Sequence, residues 1–103
     1  MALHNTHLRK STNSGIASAT TALAANSGRA NYFVQNCGQN ALFVKEGESA
    51  SVTDFTFILA AGTANDNGTG ASKESETDGC WTGAISVAGT SPRYTITERA
   101  ENI

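Results

Sequence analysis

The sequence predicts an all-β fold: a small antiparallel β-sandwich, jelly-roll-like, of six to eight short strands with an extended N-terminal arm. Three observations lead there. Short segments rich in Val, Ile, Phe, Tyr and Thr alternate in polarity with period two, and turn signals separate most of them. No helix-period stretch is long enough for an α/β design. Ser, Thr, Asn and Gly fill a chain of 103 residues that is 39% hydrophobic and only 16% charged, with ten glycines and one proline. A single domain of that length buries roughly two-thirds of the surface its unfolded chain exposes, so the core is thin.

Residues 1–16 (MALHNTHLRKSTNSGI) show no sustained period and are read as an arm, with 17–103 as the sandwich domain. An arm of this kind can order on a partner, with Leu3, Leu8 and Ile16 as apolar anchors and Arg9-Lys10 meeting acidic surface. SATTALAA, 18–25, is read as a strand, a docked helical turn being the alternative. Asn31–Asn36 and Ala41–Glu46 then read as two strands of a hairpin. Tyr32 and Val34 share one face of the first, Leu42 and Val44 one face of the second, with Phe33 and Phe43 opposite. Phe55–Leu59 is a strand whose Phe55, Phe57 and Leu59 form a core row. The polar run 64–79 is an exposed loop, with room for one short edge strand. Trp81–Ala88 places Ile85 and Val87 on one face, and Arg93–Glu98 turns Tyr94 and Ile96 inward. Pro92 cannot donate to a ladder and belongs at a strand start. The last five residues read as a polar tail.

Several function classes are disfavoured. The net charge is −2 and the seven basic residues are scattered, whereas a nucleic-acid face needs clustered Lys and Arg. No run approaches a membrane span. The N-terminus lacks a hydrophobic signal-peptide core, which predicts synthesis in the cytoplasm without export. That compartment favours two free thiols at Cys37 and Cys80 over the one possible disulfide. The two histidines, His4 and His7, lie in the arm. Their spacing would suit a metal only on a helix, and solvated or partner-contacting imidazoles are the plainer reading. Asp66-Asn67-Gly68 lacks the rest of a calcium-loop spacing, and Gly68-Thr69-Gly70 lacks the strand and helix of a phosphate loop. Glu46, Glu48, Glu74, Glu76 and Asp78 read as a solvated acidic rim. Trp81 and Tyr94 are the aromatics that could meet a sugar or a partner, against core packing or a subunit contact. No catalytic residue, cofactor or metal site is predicted, and the chain is read as a binding or structural module, not an enzyme.

The run LAANSGRANYFVQNCGQNALFVKEG, then FILAAG, then TGAISVAGTSPRYTITE resembles small bacteriophage virion proteins of β-sandwich type. The likeness spans residues 20–98. It rests on Ala24 through Tyr32, Gln35 through Gly38, Leu42 through Gly47, Leu59 through Gly62, and Gly83 through Glu98. The resemblance implies a capsid decoration or cement protein in the virion, on the outer surface of a phage head. It would act as a homotrimer whose partner is the major capsid protein. Leu3, His4, His7, Leu8, Arg9, Lys10, Ile16, Phe43 and Trp81 are the expected partner-binding residues. The alternative is a tail or head-fibre module that binds a host glycan through Trp81, Tyr94 and the 64–79 loop.

Overall fold

The computed structural model describes residues 8–13, 16–76 and 78–102, with side chains for 16–76 and 78–100. Among these residues eight strands form: β1 (Leu8–Asn13), β2 (Thr21–Leu23), β3 (Arg29–Asn36), β4 (Leu42–Glu46), β5 (Phe57–Leu59), β6 (Ser72–Glu74), β7 (Ile85–Ala88) and β8 (Tyr94–Asn102). They make two four-stranded sheets, ordered β1-β8-β3-β6 and β2-β7-β4-β5. Every strand pairing is antiparallel. The order has a simple origin. The pairs 1–8, 2–7, 3–6 and 4–5 are those of one long hairpin with its tip between β4 and β5. Wrapping that hairpin adds the contacts 3–8 and 4–7 and yields a jelly roll.

Alternation along the strands builds the core. Tyr32 and Val34 of β3, Leu42 and Val44 of β4, Leu59 of β5, Ile85 and Val87 of β7, and Tyr94 and Ile96 of β8 are all buried in one cluster. These are the inward rows read from the sequence for β3, β4, β7 and β8. In the predicted Phe55–Leu59 row, only Leu59 is fully buried. Phe57 is half-buried, and Phe55 lies before β5 against the ring of Phe43.

Three further sequence expectations differ from the structure. β3 and β4 do not form a hairpin, because they belong to opposite sheets. The connection between them is a corner, held by the buried side chain of Asn36. Its Nδ2 donates to the carbonyls of Asn40, Leu59 and Ala60, and its Oδ1 accepts from Gly38 N–H. Cys37 N–H donates to Arg93 O, so the chain stays tied to β8 as it turns. Gly70 lets this corner close: a Cβ there would lie 2.0 Å from Asn36 O. Second, the expected arm contributes an edge strand, since Leu8–Asn13 pairs with 97–102 of β8. Third, residues 99–102 of the expected tail continue β8, whose inward Ala100 is buried.

The other end of the roll is closed by Arg29. Strict alternation from Tyr32 would point Arg29 outward with Asn31. A register shift between Arg29 and Asn31 against β8 turns it inward instead. Its side chain is fully buried. Nε donates to Glu98 Oε1 at 2.8 Å, Nη1 to the carbonyls of Trp81 and Gly83, and Nη2 to that of Ala24. Removing one partner of a buried ion pair leaves the other charge uncompensated, at a cost of about 3–5 kcal/mol. Arg29→Met should therefore lower unfolding free energy by about that amount in urea melts. A loss below about 1 kcal/mol would mean that the clamp is not a determinant of stability.

Candidate binding surfaces

The two outer faces of the sandwich differ in chemistry. On the β2-β7-β4-β5 sheet, Phe43 and Ile58 are direct cross-strand partners, and Ala88 flanks Phe43 on its other side. Phe55 packs edge-on against Phe43, with ring centroids 5.2 Å apart. Ile58 is 49% exposed and Phe55 37%. These side chains form a contiguous apolar patch beside the Lys45–Asp54 ion pair at 2.7 Å. The β8-β3-β6 face is polar around one half-exposed aromatic: Phe33 lies between Thr97 of β8 and Glu74 of β6, and Gln35 between Thr95 and Ser72.

A groove of about 360 Å³ opens at the sandwich edge where β5 and β6 end the two sheets. Each strand contributes by register. Lys73 is the cross-strand partner of the buried Val34, and Phe57 that of the buried Val44. Both therefore point into the gap, where Lys73 Nζ sits 5.9 Å from the centre of the Phe57 ring. Below them the Tyr32 hydroxyl donates to Glu46 Oε2 at 2.6 Å. Ser75, Glu76, Cys80 and Trp81 complete the wall. The Trp81 ring is held in one orientation, with Nε1–H donating to Ala84 O at 2.8 Å. The ring also packs on Gly83, where a Cβ would meet it at 2.6 Å. Even so, the residue stays 40% exposed.

The expected binding residues separate in space. Phe43 belongs to the apolar patch and Trp81 to the groove. Ile16 is exposed ahead of the Ala17–Tyr94 bridge. Leu8, Arg9 and Lys10 lie in β1, and their side chains fall outside the described residues, as do Leu3, His4 and His7 entirely. Tyr94 is not a surface aromatic. It is buried, and its hydroxyl donates to Ala19 O at 2.5 Å. Glu46 is not a rim carboxylate but a strand residue bonded to a core tyrosine. In the 64–79 loop, Asp66 accepts two hydrogen bonds from Arg93, which fastens the loop to the strand-β8 end of the roll. That guanidinium holds the Asp66 carboxyl below its usual range. Cys37 and Cys80 are both free thiols, and burial first, then the charge of Asp66, pushes the Cys37 thiol up. Among the described residues, no group of three or more His, Cys, Asp or Glu side chains could hold a metal. Among the described residues, no helix is long and apolar enough to cross a membrane.

Both tyrosines of the chain are in the core cluster. Burial raises both phenols above their ordinary 10.0, and for Tyr32 the hydrogen bond and charge of Glu46 raise it further. A folded value above the unfolded one adds stability that is fully present below pH ~10 and is lost as pH climbs toward the folded value. Alkaline titration should therefore show tyrosinate absorbance appearing together with loss of the β-sheet dichroism. Independent, non-cooperative titration near the ordinary value in an intact fold would contradict the buried Tyr32–Glu46 pair.

Several turn and strand-end residues are the joints of this fold. Asn26 Oδ1 accepts Gly28 N–H, and its carbonyl accepts Arg29 N–H. Asn36 holds the β3–β4 corner. The buried Ser86 hydroxyl donates to Gly47 O and accepts from Ala50 N–H. Glu98 receives Arg29. Comparison with family models, with curated proteins and with solved structures finds no match to this chain.

Proposed function

We propose that the protein is a structural virion component, a capsid decoration or cement protein that seats on the outer surface of a phage head and bridges major capsid subunits. The observation that carries this reading is the asymmetry of the two outer faces. One sheet presents Phe43, Phe55 and Ile58 as a contiguous apolar patch, while the face across the sandwich is polar around a single phenylalanine. An exposed patch of large apolar side chains marks an association surface. A small domain with a thin core gains stability when its folded form is bound. The jelly-roll architecture is frequent in capsid proteins, although fold alone does not assign function. The activity is mechanical: interface buried between neighbouring subunits opposes their separation. The partners are the major capsid protein and further copies of the chain, as a homotrimer.

Burying a large apolar side chain contributes about 1.5–3 kcal/mol, which corresponds to roughly ten- to hundredfold in affinity. Ile58→Asp and Phe43→Ser should each weaken binding to undecorated heads by at least about tenfold. Their circular dichroism should stay that of the parent, because both side chains point away from the core. Immunogold label on intact particles should spread over the head. Full head binding by both variants, or label confined to the tail, would overturn the reading.

A further inference from the structure

The groove between β5 and β6 has chemistry that the docking face lacks. It brings together one oriented aromatic face, the carboxylates of Glu46 and Glu76, one ammonium and the ring of Phe57. Trp81 cannot swing freely, because its indole N–H is bonded to Ala84 O and its ring lies on Gly83. Glu46 uses one oxygen for Tyr32, and its other oxygen has no hydrogen bond among the described residues. Lys73 Nζ lies 5.9 Å from the centre of the Phe57 ring. A cavity of about 360 Å³ lies at the lower end of the range for small-ligand sites.

The chemistry narrows the ligand. Lys73 already places a cation over Phe57, which disfavours a cationic guest in the same space. Glu46 and Glu76 disfavour an anion. A neutral molecule with an apolar face and adjacent hydroxyls satisfies every wall. Its C–H face would lie on Trp81, one hydroxyl would donate to Glu46, and its neighbour would accept from Lys73. A second hollow of about 450 Å³, which includes Gln39, Asn40, Pro92 and Arg93, is lined by no aromatic ring.

We infer that this groove is a saccharide-binding site that accepts a neutral pyranose residue, with Trp81 as the stacking platform and Glu46 and Lys73 as the hydroxyl partners. The site is separate from the apolar patch, so a protein seated by its β4–β5 face would keep the groove available at the sandwich edge. The inference does not depend on the capsid reading.

The protein reports on itself, because Trp81 is its only tryptophan. The full chain, without heads, is titrated with glucose, galactose, mannose, N-acetylglucosamine, lactose, cellobiose and diacetylchitobiose while indole emission is followed. A saturable change with at least one of these sugars is expected. Lys73→Ala, a change on an exposed edge strand, should weaken that response by roughly tenfold or more, the size of a charged hydrogen bond. Trp81→Ala should abolish the binding heat in calorimetry. Its backbone carbonyl, which Arg29 uses, is untouched by that substitution. Phe43→Ser should bind sugar like the parent. No saturable change with any of the sugars, or an unchanged response in Lys73→Ala, would overturn the site and leave the docking face as it stands.

Discussion

A buried guanidinium holds the two sheets to one another at one end of this roll. Arg29 cannot be left unpaired in the interior, where desolvating a charge costs several kcal/mol or more. It is satisfied by one carboxylate and three carbonyls that come from three separate stretches of chain. Glu98 belongs to the partner strand in its own sheet, whereas the carbonyls of Ala24, Trp81 and Gly83 flank β2 and β7 of the other. The same bonds fix the path of 81–83, and that path decides where the indole ring stands. The platform of the groove is thus a by-product of the clamp that closes the fold.

At the far end the constraint is a neutral one. Asn36 is nearly inaccessible and spends both ends of its amide on backbone groups of the corner. An asparagine suits this place because one amide offers two donors and an acceptor within a small volume. Between the clamp and the corner, nine apolar side chains fill the space between the sheets. Since the core is small, these polar fixtures contribute to specifying which sheet each strand joins.

The arrangement of surfaces follows from the wrapping. Strands β4 and β5 are the tip of the rolled hairpin, so their shared outer face is free of any later strand and carries Phe43 and Ile58. Strands β5 and β6 are the last members of their respective sheets, so the gap between them stays open, with Lys73 beside the Phe57 ring. An apolar face and a polar, aromatic groove on one small domain suit a protein held on a larger body by the first surface while the second remains exposed.

Much of this was legible along the chain. Period-two alternation identified the inward residues of β3, β4, β7 and β8, because side-chain direction in a strand is a local property of the backbone. The turn residues marked most element ends. Trp81 and Phe43 stood out as aromatics beside polar or outward positions, and each lies on one of the two surfaces. Partnering was not legible. The stretch from Asn31 to Gly47 has the alternation of a hairpin and of a corner between sheets alike, and the local pattern is identical in both cases. Alternation turns Tyr94 inward, yet nothing near it in sequence marks its partner: a carbonyl 75 residues away receives its hydroxyl. Arg29 looked like one of several scattered cations, because a single register shift against β8, not any nearby residue, turns it inward. The sequence by itself determined the class of fold, the strands and the inward rows, since these depend on neighbours two residues apart. Only the tertiary structure decided which strands pair, which polar groups are buried and where the groove opens, since those depend on groups that meet only after the chain has wrapped around its own core.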